Sequence, residues 1–278
     1  MRDDLAAATA TLARAGVETP RADAEWLLAG LLGVGRATLA LGLESRLDAE
    51  TARRYAVAVR RRARREPLQR ILGWEGFRDV RLHVTRDVLV PRPETEMLVE
   101  WSLALVPSVR LAVDVGTGSG CIACSIATER PAALVIAVDS SQAAAVVARA
   151  NVDALGLRDR VAVVVTDLLA AVGGRGVDLI VANLPYIPTG TLSTLAPEVA
   201  RHEPAAALDG GEDGLVLIRR LIAIAPGRLT AGGALVLETA GGTQTPVVVE
   251  LLRTAGFTGV ATRQDLHGVE RFVAGRWS

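Results

Sequence analysis

The stretch LAVDVGTGSG, residues 111–120, decides the fold of this chain. Its first half is a short apolar run, typical of a buried β-strand, and its second half is a turn rich in glycine. Such a turn directly after a strand lets the backbone adopt positive φ angles and approach a ligand closely. Further apolar runs follow at 133–138, 161–165, 177–182 and 234–237, with helical stretches between them. This alternation predicts an α/β domain with a mostly parallel sheet and helices on both faces.

The N-terminal quarter of the chain has a different pattern. Residues 1–66 carry apolar side chains at helical spacing, beginning with Leu5, Ala8 and Leu12, and have few strand-like clusters. Asp48 is the predicted N-cap of the last helix, over 47–65. Residues 1–66 are therefore predicted to form a small all-helical domain.

A connecting region and the α/β domain make up the rest of the chain. Residues 67–107 are predicted to form a hairpin linker and a connecting helix, with alternating strands at 80–84 and 88–90. Residues 108–278 are predicted to form the cofactor-binding domain. Its tail, from 260 to 274, looks like a closing pair of strands.

Composition excludes several classes of function. The chain has 278 residues, is half hydrophobic and carries no net charge, so nothing favours bulk attraction to nucleic acid. Its two cysteines, Cys121 and Cys124, lie within an apolar helical run and are predicted to be small buried residues. A redox pair or half of a zinc site is the less favoured alternative. With no disulfide framework and no secretory or membrane-spanning segment in the sequence, a cytoplasmic location is expected. The protein is also expected to be a monomer.

Acidic residues follow three successive strands of the predicted sheet: Asp114, Asp139 and Asp167. The glycine pattern is G-x-G-x-G, not the G-x-G-x-x-G of dinucleotide enzymes, and an acid before it suits a cationic ligand better than a pyrophosphate. S-adenosylmethionine is therefore the expected cofactor, with a nicotinamide cofactor as the less favoured alternative. The residues predicted to bind it are Asp114, Gly116, Thr117, Gly118, Ser119, Gly120, Asp139, Ser140, Asp167, Leu168 and Asn183.

The fourth strand runs into Asn183-Leu184-Pro185-Tyr186, and here the chain resembles a known family. It is similar to the amino methyltransferases that carry Asn-Pro-Pro-Tyr or Asp-Pro-Pro-Tyr after this strand. Within that group it resembles the release-factor glutamine methyltransferases. The resemblance spans nearly the whole chain, and its most specific further motif is PRPETE at residues 91–96. Segments 198–204, 207–215 and 265–268 also fit.

The resemblance implies a fold, an activity and a partner. The fold is a Rossmann-like class I methyltransferase sheet, with a small N-terminal helical domain joined by a β-hairpin. The activity is S-adenosylmethionine-dependent methylation of a glutamine side-chain amide in a protein. The partner is a peptide chain release factor, methylated in its Gly-Gly-Gln loop. The catalytic residues would be Asn183, Leu184, Pro185 and Tyr186, and the substrate-binding residues Pro91, Arg92, Pro93, Glu94, Asn183 and Tyr186.

The tetrapeptide also has a direct chemical interpretation. The side-chain oxygen of Asn183 and the backbone carbonyl of Leu184 can accept the two N–H groups of an amide, which aims the nitrogen at a methyl donor. Pro185 biases Leu184 toward an extended conformation.

Two features of the sequence leave alternatives open. Leu184 replaces the family's proline, and the segment from Glu238 to Gly242 differs from the family's usual Glu-Ile-Gly. A paralogue that methylates a small-molecule amide or a guanidinium nitrogen therefore stays an alternative, as does a module that binds cofactor or nucleic acid without catalysis. The arginine-rich run at 53–65 favours a solvated helix face over a surface that binds an acidic partner or ribosomal RNA.

Overall fold

The computed structural model describes residues 1–174 and 176–278. The chain divides into two compact units. The first comprises residues 1–74 and 196–202, and the second comprises residues 75–195 and 203–278. The first unit thus extends past the predicted boundary at residue 66. Most of the predicted linker belongs to the second unit. Within the described ranges, no helix combines the length and the apolar character needed to span a bilayer.

The first unit begins with five helices: α1 (Arg2–Arg14), α2 (Pro20–Leu32), α3 (Arg36–Leu41), α4 (Ala49–Ala63) and α5 (Leu68–Leu72). Its core is the apolar face of α1, α2 and α4, including the buried residues Leu12, Leu27 and Tyr55. The predicted cap of α4 is confirmed, since the Asp48 carboxylate accepts hydrogen bonds from Glu50 N at 3.0 Å and Thr51 N at 2.9 Å. The predicted all-helical character of this region is confirmed.

The remaining elements follow in chain order. They are β1 (Trp74–Phe77), β2 (Val80–His83), α6 (Pro93–Leu105), β3 (Leu111–Val115), α7 (Cys121–Glu129), β4 (Leu134–Asp139), α8 (Gln142–Ala154), β5 (Val161–Val165), β6 (Val177–Ala182), α9 (Pro197–Ala200), α10 (Val216–Ile224), β7 (Leu229–Glu238), α11 (Gln244–Thr254), β8 (Thr258–Gln264) and β9 (Glu270–Arg276). Of these, α9 lies in the segment that belongs to the first unit.

The hairpin differs from the prediction in its pairing. Strand β2 pairs with β1, which precedes it, and the predicted second strand at 88–90 is wrong. Val88 is nevertheless buried, because it packs with Val84 and with Ala144 and Val147 of α8. A short apolar run can reach burial through side-chain packing alone, without joining a strand ladder.

Seven strands form one sheet in the order β5-β4-β3-β6-β7-β9-β8. Strands β3 to β7 are parallel to one another, whereas β9 runs antiparallel to both β7 and β8. This arrangement confirms the predicted class I methyltransferase sheet and the predicted closing pair of strands.

Two hydrophobic clusters cover the two faces of the sheet. Neighbouring residues of β3 point to opposite sides, so Ala112 packs with α6, α7 and α8, while Val113 packs with α10 and α11. Burial on both faces explains why the parallel strands read as unbroken apolar runs rather than alternating ones. The carboxyl ends of these strands are left as the edge at which a site can form.

Candidate functional site

Strand register brings three loops to one level at the carboxyl edge of the sheet. Val115, the last residue of β3, pairs with Val138 of β4 on one side and with Ala182 of β6 on the other. The next residues along the three strands are Gly116, Asp139 and Asn183. A cavity lies at this edge and includes all three in its lining.

The glycine loop adopts a conformation that ordinary side chains disfavour. Gly116, Gly118 and Gly120 have φ angles of +76°, +54° and +83°, all in the left-handed region. A Cβ atom at Gly116 would lie 3.0 Å from Cδ2 of Leu184, whereas one at Gly118 would meet nothing within 4 Å. The first glycine is therefore required both by its backbone angles and by the close approach of Leu184.

Asp114 lies beneath this loop rather than in the cavity lining. Its Oδ2 accepts hydrogen bonds from Thr117 Oγ1 at 2.6 Å and from Ala123 N at 3.1 Å. Burial raises the pKa of Asp114 to about 7, although these two hydrogen bonds act in the opposite direction. The carboxyl group thus ties the loop to the start of α7. Its predicted contact with a cationic ligand stays a prediction.

Asp139 clamps the other side of the loop. Its Oδ2 accepts a hydrogen bond from Gly118 N at 2.9 Å, and its Oδ1 accepts one from Ser141 N at 2.8 Å. Each carboxylate oxygen has two lone pairs, so both keep capacity for a further donor in the cavity. A pair of neighbouring hydroxyl groups, as on a ribose, matches this capacity.

The loop after β5 carries the third acid and an unusual leucine. Asp167 is exposed and pairs with Arg220, with Oδ2 and Nη2 separated by 2.5 Å. Leu168 is 8% exposed and has a φ angle of +46°, a strained conformation for a residue with a branched side chain. Strain of this kind is found at ligand-binding loops, where the surrounding structure holds it in place.

The cavity gathers most of the predicted site residues. Those in its lining are Gly116, Thr117, Gly118, Ser119, Asp139, Ser140, Asp167, Leu168, Asn183, Leu184, Pro185, Pro91 and Arg92. Among the described residues, the lining leaves out five that the sequence predicted: Asp114, Gly120, Pro93, Glu94 and Tyr186. It also contains residues that sequence reasoning missed, notably Thr95, Cys121, Ser141 and Thr166.

Leu184 is held by the core. It is 4% exposed and packs in the cluster that contains Val115 and Leu168. Its side chain therefore has little freedom to move. Its burial leaves the residue's backbone carbonyl as the group that can serve the chemistry.

A chain of hydrogen bonds runs from Asn183 into the protein interior. Asn183 Nδ2 donates to Thr95 Oγ1 at 3.0 Å, and Thr95 Oγ1 donates to Glu238 Oε2 at 2.9 Å. Tyr186 donates its hydroxyl to Glu238 Oε1 at 3.4 Å. Burial raises the pKa of Glu238 to about 7, opposed by the Thr95 hydrogen bond and by the charge on Arg271. Glu238 was not among the predicted site residues, although it ends a strand of the parallel sheet as Asp139 does.

The two cysteines are buried on α7, as predicted. Burial raises the pKa of the Cys124 thiol to about 12 and raises the pKa of the Cys121 thiol as well. Both thiols are therefore protonated and unreactive at neutral pH.

In the first unit, the arginine-rich helix α4 divides into two faces. Arg62 is 7% exposed and binds Asp23 Oδ2 through Nε at 2.6 Å. Arg62 Nη1 and Arg65 Nε also donate to Glu198 Oε1, at 2.9 and 2.6 Å. Glu198 is partly desolvated, but hydrogen bonds from Arg65 and Arg62 outweigh this and lower its pKa to about 2. The other arginines of this run, Arg53, Arg54, Arg60, Arg61 and Arg64, are exposed, which fits a solvated helix face and a binding surface alike.

Two family models match the chain. One is described as the PrmC N-terminal domain and matches residues 4–73. The other is described as the methyltransferase small domain and matches residues 95–212. The first range lies within the helical unit, and the second carries the glycine loop, the strand-end acids and the tetrapeptide.

Individual proteins match over nearly the full length. The release factor glutamine methyltransferase of Geobacter sulfurreducens is 42% identical over 95% of this chain and 92% of its own length. That of Mycolicibacterium smegmatis is 44% identical over 98% and 96%, respectively. Among solved structures, the N-terminal domain of human METTL16 in complex with SAH has a TM-score of 0.52 at 20% identity, covering 71% of this chain and 75% of that one. The structural likeness supports the fold.

Proposed function

Because the chain belongs to the release factor glutamine methyltransferase family, we propose that it methylates a glutamine side-chain amide in a peptide chain release factor. The target is the glutamine of the release factor's Gly-Gly-Gln loop, and S-adenosylmethionine is the methyl donor. One observation supports placing the reaction at this cavity. Asn183 follows β6 and lines the cavity, and β6 pairs directly with β3, the strand that precedes the glycine loop.

The residues of the cavity fit the donor. Asp139 keeps lone pairs for ribose hydroxyls, and Asp167 with Leu168 offers a carboxylate and an apolar surface for an adenine ring. The glycine loop provides close backbone approach to the remaining part of the molecule. When bound, S-adenosylmethionine supplies a methyl group on a positively charged sulfur, which makes that carbon electrophilic.

Asn183 and Leu184 act on the acceptor. An amide nitrogen is a weak nucleophile, since its lone pair is delocalised into the carbonyl group. Asn183 Oδ1 and the Leu184 carbonyl oxygen would each accept one N–H of the glutamine amide, fixing the plane of the group and aiming the nitrogen at the methyl carbon. Positioning of this kind contributes about 7–11 kcal/mol at best.

The proton balance needs no strong base. As the new N–C bond forms and the C–S bond breaks, S-adenosylhomocysteine would leave and the amide nitrogen would become cationic and strongly acidic. It would then release one proton to solvent water, leaving the neutral methylated amide. Asn183 Oδ1 and the Leu184 carbonyl oxygen would accept hydrogen bonds from the cationic nitrogen and stabilise its charge.

We propose that the helical domain, residues 1–66, binds the protein substrate, and that residues 91–94 with Tyr186 border the glutamine. Neutral net charge supports action without direct contact with nucleic acid. The enzyme is proposed to work as a monomer in the cytoplasm.

The test uses the full chain, S-adenosylmethionine and the release factor from the same organism. Mass spectrometry should find one added methyl group on the peptide that contains Gly-Gly-Gln. A release factor with alanine in place of that glutamine is the control and should gain none. Absence of the methyl group from the wild-type peptide, with methylation of free amides or guanidines instead, would overturn the proposal in favour of a small-molecule enzyme.

A further inference from the structure

We propose that Thr95 and Glu238 are positioning residues that fix the orientation of the Asn183 carboxamide, so that its oxygen and not its nitrogen faces the acceptor amide. This inference rests on the proposed function, because the orientation matters only if Asn183 receives an N–H. It assigns a role to two residues that lie outside the tetrapeptide.

Two hydrogen bonds join Asn183, Thr95 and Glu238 into a relay that runs from the cavity into the core. Asn183 Nδ2 and Thr95 Oγ1 are 3.0 Å apart, and Thr95 Oγ1 and Glu238 Oε2 are 2.9 Å apart. Thr95 is 2% exposed and Glu238 is 1% exposed, so water cannot replace either contact easily. The three residues come from the first turn of α6, the loop after β6 and the end of β7. A helix and a strand thus hold Thr95 and Glu238, and Asn183 follows directly on the end of a strand.

The direction of the relay follows from counting hydrogens. An ionised carboxylate can only accept hydrogen bonds, and a threonine hydroxyl has one hydrogen to donate. When Glu238 is ionised, Thr95 donates to it and can then only accept from Asn183. The NH₂ group of Asn183 must therefore face Thr95, and Oδ1 must face the other way. Within the described residues, Oδ1 receives no hydrogen bond, which leaves it available to an acceptor amide.

Protonation of Glu238 would remove this constraint. A protonated carboxyl group can donate to Thr95, and the threonine hydrogen is then free to bond to Asn183 Oδ1 with the carboxamide turned over. Burial raises the pKa of Glu238 to about 7, against the lowering effect of Thr95 and Arg271. The other ionisable groups that face it are Glu94, on the same helix as Thr95, and Tyr186. We therefore expect the balance between the two orientations to depend on whether Glu238 is ionised.

The relay also accounts for the presence of an acid at so buried a position. A carboxylate taken out of water costs several kcal/mol unless hydrogen bonds and charges compensate it. Here both oxygens receive a hydroxyl donor, from Thr95 and Tyr186. An apolar residue would fill the same space without that cost, but it would not define the direction of the Thr95 hydroxyl.

The experiment compares methyl transfer by Thr95→Val, Thr95→Ser and wild-type enzyme. Valine keeps the shape but removes the hydroxyl, so we expect kcat to fall about 10- to 100-fold, the effect of losing one hydrogen bond in a charged network. Binding of S-adenosylhomocysteine, measured by calorimetry, should stay essentially unchanged. Serine restores the hydroxyl and should restore most of kcat. Wild-type kcat with Thr95→Val at saturating substrate would overturn the proposal.

Ser102→Ala is the matched control. Ser102 is also a fully buried hydroxyl on α6, but it donates to Leu98 O at 2.7 Å and lies outside the cavity lining. Its removal should leave kcat unchanged. A fall in kcat equal to that of Thr95→Val would show that any lost buried hydroxyl on this helix has the same effect, and would refute a role for orientation.

Glu238→Gln supplies the second readout. We expect the wild-type kcat to decline as pH falls through about 7, as Glu238 becomes protonated. Glutamine accepts from Thr95 but cannot ionise, so Glu238→Gln should lack this decline. The side-chain N–H resonances of Asn183, identified by their loss in Asn183→Ala, should shift near this pH in the wild type and not in Glu238→Gln. Asn183 resonances that depend on pH in the same way in the wild type and in Glu238→Gln would overturn the relay, whatever the substrate is. Failure of the wild type to methylate the release factor would instead refute the proposed function.

Discussion

Replacing Gly116 with alanine separates backbone strain from side-chain crowding at the cofactor loop. The φ angle of +76° imposes a left-handed conformation, which costs an L-residue about 1–2 kcal/mol. The new Cβ would also lie 3.0 Å from Leu184 Cδ2, and overpacking of a buried site costs a further 1–3 kcal/mol or so. Since Leu184 is 4% exposed, it cannot rotate into solvent to relieve the contact.

Gly118 offers a matched control within the same loop. Its φ angle of +54° carries the same backbone strain, but a methyl group added there would have no neighbouring atom within 4 Å. Gly118→Ala should therefore cost only the strain. The difference in free energy of unfolding between Gly116→Ala and Gly118→Ala measures the cost of the contact with Leu184. This difference should disappear when Leu184 is also replaced by alanine.

The measurements are denaturant unfolding of the full chain and calorimetric binding of S-adenosylhomocysteine. Gly116→Ala should lower the free energy of unfolding by about 1–3 kcal/mol more than Gly118→Ala does, and should weaken binding because the loop is displaced. Equal destabilisation by the two variants would refute the argument that Leu184 fixes the position of the loop.

Three further predictions concern other parts of the chain. Leu184→Pro should keep methyl transfer of the same order as the wild type, because it preserves the backbone carbonyl; a loss of activity would show that the leucine side chain itself is needed. Glu198→Gln should destabilise the first unit by about 1–3 kcal/mol at pH 7 in denaturant unfolding, since two arginines lose their charged acceptor. The pKa of Glu198 is lowered to about 2, so this stability is present above about 4.5 and is lost as pH falls toward 2. The difference in free energy of unfolding between the wild type and Glu198→Gln should shrink over that pH range. A difference that does not change with pH would refute the role given to the Glu198 carboxylate. Cys121 and Cys124 should resist alkylation at pH 8 until denaturant is added, and rapid labelling of the native chain would contradict their burial.

The sequence predicts the central strands of the second unit well because they are buried on both faces. The runs 111–115 and 177–182 contain almost only apolar residues, and their bounds in the structure agree with the predicted ones. The glycine loop could be placed for the same reason, since it follows directly on a strand. Here local pattern and tertiary burial lead to the same result.

Contacts between distant parts of the chain could not be predicted. Thr95 and Glu238 are 143 positions apart, and neither has a local feature that indicates the other. The misassigned strand at 88–90 has a similar cause, because its burial depends on α8 rather than on a neighbouring strand. Glu198 likewise finds its two arginines across more than 130 positions.

Because of the segment 196–202, the two units do not simply follow one another along the chain. Although the second unit supplies the chain on both sides of it, this segment belongs to the first. The polypeptide therefore crosses between the units three times, after residues 74, 195 and 202. A fragment that starts at residue 75 would still carry Glu198, yet it would lack both of its arginine partners. Residues 1–74 are therefore not the whole of the helical unit, and a cut after residue 74 would separate Arg62 and Arg65 from Glu198.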